Sequence, residues 1–196
     1  MAVSNSINLT EQEKQQLITF CKQAIQQHLD DLPFVLPAAP NNKNLLQPLP
    51  CFVTLTINDH LRGCIGTYQV DRPLWENVYY YAFCSAFEDS RFPPLQADEL
   101  SNLTIEISIL SALQEIPNNG EATLIDELQI GVDGLLLQEG WHKAIFLPTV
   151  WEVLPEPRMF VQHLKQKANW PKDYWSAEIT LQRFTTEVFS APFYIP

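Results

Sequence analysis

The sequence predicts an independently folding α+β domain. Apolar residues recur every four positions near the N-terminus, which is typical of an amphipathic helix. In contrast, "NLTIEISILS" alternates apolar and polar residues, which is typical of a β-strand. A chain of 196 residues with 46% hydrophobic composition can bury a substantial core, and no repeat, low-complexity tract or linker divides it.

The first helix is predicted from Thr10 to about Asp30. Thr10 and Glu13 have the spacing of a capping box, in which each side chain satisfies the backbone amide of the other residue. An apolar stripe follows, formed by Leu17, Cys21, Ile25 and Leu29 with Ile18 beside them. Cys21 is therefore expected to be a buried core thiol.

A long surface connection and a hairpin are predicted next. Five prolines between Asp31 and Pro50 prevent a regular helix or central strand, because proline fixes φ and lacks an N–H donor. "CFVTLTI" and "HLRGCIGTY" then predict two strands joined by a turn at Asn58 and Asp59. Glycine is expected to break the second of these strands.

The remaining elements alternate between helices and strands. A second helix is predicted from Pro73 to near Glu88, followed by a rigid turn at "DSRFPP" and a strand at "NLTIEISILS". "ATLIDELQI" predicts a short helix, "GLLLQ" and "KAIFL" predict two strands, and residues 158–168 predict another helix. The segment "AEITLQRFTTEVFS" predicts a single strand with a bulge near Arg183.

Charge and composition exclude several classes of protein. With 12 basic and 23 acidic residues the net charge is −11, which repels nucleic acid. No apolar run reaches the roughly 18 residues that cross a bilayer, and "MAVSNSINLTEQEK" lacks the features of a secretion signal. Four cysteines without a C-x-x-C pair fit a reducing cytoplasm, so we expect a cytoplasmic protein with no membrane or nucleic-acid partner.

No cofactor or metal site is predicted. The chain lacks phosphate-binding, dinucleotide-binding, zinc-protease and α/β-hydrolase motifs. His60 and Cys64 would lie roughly 13 Å apart along an extended strand, too far to share a metal ion. His142 is expected to be a solvated or hydrogen-bonded hairpin residue.

The stretch "LRGCIG" offers one candidate for chemistry. Gly63 and Gly66 allow a close approach of the backbone to another group, which leaves Cys64 near exposed amides with Arg62 as a possible thiolate stabiliser. Alternatively, both glycines belong to a bulge and Cys64 fills a small hole in the core.

Charged residues elsewhere offer further candidates. Glu106 lies on the polar face of its strand and is either a surface residue or, if that face lines a cleft, a base that pairs with Arg62 or Arg91. Asp89 and Arg91 form either a local turn with an ion pair or part of a ligand site.

An ordered set of strings points to a known family: "LRGCIGTY", "EDSRFPPL" with "DEL" after it, "IEISILS" ending in "EIP", and "AIFLPTV" followed by "FVQHLKQKA". With these strings the chain resembles the AMMECR family, whose prokaryotic members are called AmmeMemoRadiSam system protein A. The resemblance implies one domain over residues 1–196 with two intertwined, unequal subdomains. It also implies an antiparallel sheet flanked by helices in the larger subdomain, and a cleft beside the loop from Arg62 to Gly66.

Three functions follow as hypotheses, and the residues leave open whether the protein is an enzyme. In the first, the cleft binds a small polar or anionic ligand through Arg62 and Arg91, with Glu106 or Asp89 orienting them and Gly63 and Gly66 shaping the loop. In the second, Cys64 is a nucleophile with His60 or Glu106 as the base. In the third, segment 31–50 and the tail "FSAPFYIP" dock on a Memo-like or radical-SAM protein, as the family association implies.

Overall fold

A computed structural model describes residues 8–194. The described chain divides into two compact units. The large unit comprises residues 8–110 and 187–194, and the small unit comprises residues 111–186. Each unit contains one four-stranded sheet with helices, so the predicted α+β class with a smaller second subdomain is confirmed.

The helices and strands follow one another in the order α1 (Glu11–Leu29), β1 (Cys51–Ile57), β2 (His60–Thr67), α2 (Leu74–Phe87), β3 (Leu103–Leu110), β4 (Gln114–Ile116), α3 (Glu121–Glu127), β5 (Gly134–Glu139), β6 (His142–Phe146), α4 (Pro157–Lys167), β7 (Thr180–Phe184) and β8 (Thr186–Pro192). Two short 3-10 helices, Ala97–Asn102 and Pro148–Glu152, precede β3 and α4. No helix among the described residues is long and apolar enough to cross a membrane.

The N-terminus of α1 has the predicted capping box. The hydroxyl of Thr10 accepts from the Glu13 amide at 3.3 Å, and the Glu13 carboxylate accepts from the Thr10 amide at 2.6 Å. These bonds satisfy amides that have no partner within the helix. The predicted apolar stripe is buried except for the half-buried Leu29, and Cys21 has no exposed surface, which confirms that it is a core thiol.

In the large unit, the strands are ordered β2-β1-β3-β8, and β1 is antiparallel to both neighbours. The apolar side chains Val53 and Leu55 of β1 and Ile105 and Ile107 of β3 are fully buried in a core shared with α1 and α2. The alternation of β3 places the apolar side chains of residues 103–109 on one face and the polar ones on the other, as the sequence predicts.

The connection between α1 and β1 is irregular, as predicted, and it supports the start of α2. The carbonyl of Gln47 accepts from the Leu74 amide at 2.8 Å, and the carbonyl of Leu45 accepts from the Trp75 amide at 3.2 Å. Because the first amides of a helix lack internal partners, these bonds anchor the connection to the helix.

The small unit has the strand order β4-β7-β5-β6 and its own apolar core. The short helix α3, the hairpin of β5 and β6, and α4 all occur where the sequence predicts them. Trp151 stacks on Phe160 with ring centroids 3.9 Å apart in this core. Lys165 is fully buried, and its ammonium donates to Glu121 at 2.8 Å and to the Tyr174 carbonyl at 3.1 Å.

Two predictions about strands are wrong. The strand β2 runs without a break from His60 to Thr67, because its glycines keep extended backbone and pair with β1. The last segment forms two strands, β7 and β8, that belong to different sheets. The change in apolar parity therefore marks the point where the chain passes from one sheet to the other, and not a bulge within one strand. Between the two strands, the Thr185 carbonyl accepts from the Ser111 amide at 2.9 Å.

The tail predicted as a docking segment is largely part of the fold. Its residues up to Pro192 belong to β8. Phe193 is buried, and its amide donates to the Leu103 carbonyl at 2.7 Å. The last two residues of that tail, 195 and 196, lie outside the described part of the chain.

Candidate functional site

The stretch "LRGCIG" lies in β2, an edge strand of the sheet in the large unit. Leu55 of β1 is opposite Gly63, whereas the next residue, Thr56, is opposite Leu61. Arg62 therefore has no counterpart on β1 and forms a β-bulge. A bulge bends its strand and redirects the side chains beside it, which is a common arrangement near functional sites.

Both glycines of this stretch allow a close approach of backbone. A Cβ atom on Gly63 would overlap the carbonyl oxygen of Ser85 in α2. A Cβ atom on Gly66 would overlap the Cys51 carbonyl oxygen and the neighbouring Phe52. Any larger residue at either position would push β2 away from its neighbours.

Ser85 joins α2 to the two strands of the hairpin. Its hydroxyl accepts from the Ile65 amide at 2.9 Å and donates to the Val53 carbonyl at 2.8 Å. Val53 and Ile65 are directly opposite each other, so the hydroxyl bridges the two strands. This buried serine fixes β2 immediately beside Cys64.

Cys64 is half-buried, whereas the other three cysteines are buried. Its amide donates to the Asp89 carboxylate at 2.9 Å, and its carbonyl accepts from the Arg91 guanidinium at 3.2 Å. The hydroxyl of Thr54, directly opposite on β1, donates to the sulfur at 3.2 Å. The thiol therefore lies outside the apolar core, between a hydroxyl and the turn that follows α2.

Asp89 and Arg91 form an ion pair that holds this turn against the edge of β2. Arg91 donates to the two carboxylate oxygens at 2.9 Å and 2.6 Å. The Arg91 guanidinium, together with the amides of Cys64 and Arg91, lowers the pKa of Asp89 to about 2. Asp89 in turn raises the pKa of Arg91, so both groups are charged at neutral pH.

The two partners of this pair differ in exposure. The Asp89 side chain is 6% exposed, whereas the Arg91 side chain is 54% exposed. The Nε and Nη2 atoms of Arg91 donate to Asp89 and Cys64, but its Nη1 atom has no acceptor among the described residues. Arg91 thus presents two charge-assisted N–H donors to solvent beside Cys64.

Arg62 has a different partner. Its Nε and Nη2 atoms donate to the two Glu99 carboxylate oxygens at 2.7 Å and 3.0 Å, and its side chain is only 11% exposed. This guanidinium lowers the pKa of Glu99, which also accepts from the Gln96 amide. The Arg62 Nη1 atom is buried and has no partner within residues 8–194. Among the described residues, Arg91 hydrogen-bonds to the backbone carbonyl of Cys64, whereas Arg62 pairs with Glu99.

Glu106 shares a face of the sheet with Cys64. Cys64 is opposite Thr54, and Thr54 is opposite Glu106, so the three side chains form one row across β2, β1 and β3. We call the face that carries this row the polar face; it also includes Phe52, Gly66, Thr104 and Ser108. Two strand spacings place the Cα atoms of Cys64 and Glu106 about 10 Å apart.

The chain matches the sequence model of the AMMECR1 family over residues 18–189. The chain belongs to the AMMECR1 family. It is similar to protein MJ0810 of Methanocaldococcus jannaschii, with 32% identity over 189 residues that cover 92% of this chain and 91% of the relative. It is also similar to protein PYRAB00100 of Pyrococcus abyssi, with 31% identity over 186 residues that cover 88% and 87% of the two chains.

A solved structure supports the fold of this AMMECR1-family chain. The crystal structure of uncharacterized protein PH0010 from Pyrococcus horikoshii superposes with a TM-score of 0.86 and 28% sequence identity. The superposition covers 93% of each chain. The family assignment made from the motif strings is confirmed.

Other predicted positions lie apart from Cys64 in the AMMECR1 chain. His60 is exposed at the start of β2, four residues from Cys64 along an extended strand. Within the described chain, no group of three or more His, Cys, Asp or Glu side chains could hold a metal ion. An open groove of about 480 Å³ lies in the small unit, between residues 115–118 and 177–181, and none of the predicted site residues lines it.

Several residues that shape the site have no recognisable signal in the sequence. Ser85 and Thr54 contact the Cys64 region, but an isolated serine or threonine in an otherwise apolar element gives no local signal. Glu99 lies in the "DEL" string that carried the family resemblance, although the sequence did not indicate that it pairs with Arg62. Ser108 follows Glu106 on the same strand, and nothing in the sequence indicates that its buried hydroxyl has no hydrogen-bond partner among the described residues.

Proposed function

We propose that this AMMECR1-family protein binds a small ligand with an anionic group beside Cys64, and that Arg91 is the residue that receives this group. The observation that carries the proposal is the half-exposed Arg91 guanidinium, whose Nη1 atom has no acceptor within residues 8–194. A carboxylate or phosphate oxygen is the acceptor that binds the remaining N–H groups of a guanidinium most strongly.

The pairing of Arg91 with Asp89 supports this role. The Asp89 carboxylate fixes the guanidinium on one side and leaves the Nη1 side open. A side chain that is already ordered loses less conformational entropy on binding a ligand, which favours affinity. Arg62 acts as a positioning residue in this proposal, because its fork is occupied by Glu99 and it holds the bulge that begins the motif.

The proposal is tested by NMR titration with inorganic phosphate and with acetate at constant ionic strength. The resonances observed are the Arg91 Nε–H and the Cys64 amide, which are linked through Asp89. We expect saturable shifts in the wild-type protein and an affinity about tenfold lower in Arg91→Gln, since a charge-assisted hydrogen bond contributes about 1.5 kcal/mol or more.

Arg158→Gln is the matched control, because Arg158 is an exposed arginine in the small unit. It should leave the titration unchanged. Arg91→Lys keeps the charge but loses the fork, and its affinity should fall between those of the wild type and Arg91→Gln. Equal affinities in the wild type and Arg91→Gln, or no saturable shift at Arg91, would overturn the proposal.

A second candidate function is catalysis with Cys64 as the nucleophile. The hydroxyl of Thr54 at 3.2 Å from the sulfur favours it, because a hydroxyl donor stabilises a thiolate. The Cys64 amide donates to Asp89, so this amide is not available to stabilise an oxyanion in acyl transfer. Any such chemistry therefore needs donors other than the Cys64 amide.

Iodoacetamide labelling between pH 5 and pH 9, followed by peptide mass spectrometry, tests this candidate. A nucleophilic Cys64 should react at neutral pH while the fully buried Cys21 stays protected. Thr54→Val should slow the reaction if the hydroxyl stabilises the thiolate. Labelling of Cys64 that is as slow as that of Cys21 would remove catalysis by this thiol.

The adaptor role implied by the family association is proposed for segment 31–50. This irregular connection exposes four large apolar side chains of one short stretch to solvent: Leu32, Phe34, Val35 and Leu36. Mutation of this stretch should abolish co-purification with a Memo-like or radical-SAM protein, and mutation of Arg91 should not. A partner that is lost only with Arg91 would contradict the adaptor role.

A further inference from the structure

We propose that the ligand of this site is bifunctional: its anionic end lies at Arg91, and its other end carries a hydrogen-bond donor group, such as an amine, that lies at Glu106. This inference rests on the proposed function and extends the site from the edge of the sheet across its polar face. A small, unbranched amino-acid-like molecule has the required chemistry.

The order of the strands places the two charged groups at opposite ends of one row. Arg91 lies beyond the edge of β2, because it donates to the outward-facing carbonyl of Cys64. From there the row passes through Cys64 and Thr54 and ends at Glu106 on β3. The row therefore has a guanidinium at one end and a carboxylate at the other, and we call these two groups its poles.

The spacing of the strands sets the length of the ligand. Three spacings of about 4.8 Å separate Arg91 from the axis of β3, which gives about 14 Å in all. A hydrogen bond of about 3 Å at each end leaves about 8 Å between the two polar groups of the ligand. Glycine is too short to reach both groups, whereas an extended chain of several methylene groups can do so.

Ser108 is a second observation that points to a ligand on this face. It lies two residues after Glu106 on β3, is 1% exposed, and its hydroxyl has no partner among the described residues. A buried hydroxyl without a hydrogen bond is unfavourable, so a polar ligand group that reaches it contributes binding energy. Because the oxygen is covered, only a slim group that inserts between side chains can reach it, which favours an unbranched ligand.

The side chains between the two poles suit the middle of such a molecule. Thr54 directs its hydroxyl proton to the Cys64 sulfur, so this proton is already engaged within the protein. Phe52, half-buried beside Gly66, supplies an apolar surface on the same face. A methylene chain is the part of a ligand that gains from contact with such surfaces.

The test is a titration with linear amino acids of increasing length: glycine, 4-aminobutanoate, 6-aminohexanoate and 8-aminooctanoate. The controls are hexanoate, which lacks the amine, and hexylamine, which lacks the carboxylate. The readouts are the Cys64 and Glu106 amide resonances and the protection of Cys64 from iodoacetamide. We expect affinity to increase with length up to 6-aminohexanoate, whose extended chain separates its two polar groups by about 8 Å. This probe should bind at least about tenfold more tightly than hexanoate or hexylamine.

Variants assign the two ends of the ligand. Glu106→Gln should weaken the binding of 6-aminohexanoate about tenfold and leave that of hexanoate unchanged, and Arg91→Gln should weaken both. Glu76→Gln is the control, because Glu76 is a half-buried glutamate of α2 in the same unit. Ser108→Ala should lower the affinity for 6-aminohexanoate without lowering the stability of the free protein, because its hydroxyl has no partner among the described residues to lose.

The outcomes separate this inference from the function on which it rests. If hexanoate and 6-aminohexanoate bind equally and both depend on Arg91, the bifunctional ligand is refuted and the anion site stands. If no probe gives a response that depends on Arg91, the anion site itself is refuted. An affinity that does not change with chain length also refutes the inference. So does a higher affinity for the amino acid than for the acid without the amine, if this difference persists in Glu106→Gln.

Discussion

Replacing Asp89 by asparagine tests the link between the turn after α2 and the edge of β2. Asparagine has nearly the same shape and can still accept the Cys64 amide through its side-chain oxygen. It cannot form the ion pair with Arg91 that the aspartate forms at 2.6 Å and 2.9 Å. The substitution therefore removes the charge and leaves the packing in place.

The size of the effect follows from the pKa of Asp89. Folding lowers this pKa from 3.8 to about 2, and each pKa unit corresponds to 1.36 kcal/mol, so the ionised form is stabilised by about 2 kcal/mol. The Arg91 side chain is 54% exposed, and solvent screening reduces the measured value to about 1–2 kcal/mol. Because the folded pKa is depressed, the stabilisation is fully present above about pH 4 and is lost as the pH falls towards 2.

Denaturation with urea at a series of pH values from 7 to 2.5 measures this effect. Asp89→Asn should be less stable than the wild type by about 1–2 kcal/mol at pH 7, and the difference should shrink below pH 4. Asp59→Asn is the control, because Asp59 is exposed in the β1–β2 turn and has a left-handed φ of 64° that asparagine also adopts. Equal stabilities at pH 7, or a difference that persists unchanged to pH 2.5, would refute the reasoning.

Three further substitutions test the packing. Gly63→Ala should lower the free energy of unfolding by about 3 kcal/mol in urea denaturation, since its Cβ overlaps the Ser85 carbonyl; a cost under about 1 kcal/mol would contradict this. Ser85→Ala should lower the free energy of unfolding by about 2 kcal/mol and speed hydrogen exchange at the Ile65 amide. An unchanged exchange rate would show that the Ser85 hydroxyl does not hold β2 to β1. Glu121→Gln should lower the free energy of unfolding by about 3 kcal/mol, because it leaves the buried Lys165 ammonium without its ion-pair partner. Lys165→Met should lower the free energy of unfolding by less, and a larger loss in Lys165→Met would contradict this.

Local signals in the sequence sufficed to predict most elements of secondary structure. The cap at Thr10 and the stripe that includes Leu17 and Cys21 lie within the first helix itself, so no distant partner is needed to predict it. The same holds for the alternation in β3. The prediction of an element fails where one local pattern has two explanations. The change in apolar parity near Arg183 fits a bulge within one strand and a passage of the chain between two sheets equally well.

The site was less predictable because its contacts join distant positions. The motif strings identified Arg62, Cys64 and Arg91 as candidates, but the partners of both arginines depend on the fold. Arg62 pairs with Glu99, 37 residues away, and the Cys64 amide pairs with Asp89, 25 residues away. The sequence gives the positions of the charged residues along the chain. It does not show which of them pair once the bulge and the edge strand have formed.

The two arginines of the site show how burial separates two roles of the same side chain. Arg62 is 11% exposed and uses its fork on Glu99, so its charge contributes to the geometry of the bulge. Arg91 is 54% exposed and keeps Nη1 available while Asp89 fixes its orientation. Asp89 also accepts the Cys64 amide, so Asp89 links the Arg91 guanidinium to the backbone of the cysteine. Under the proposed function, an anion that binds Arg91 changes the hydrogen bond between Asp89 and the Cys64 amide. The Cys64 amide is therefore the most direct reporter for the titration that tests the proposal.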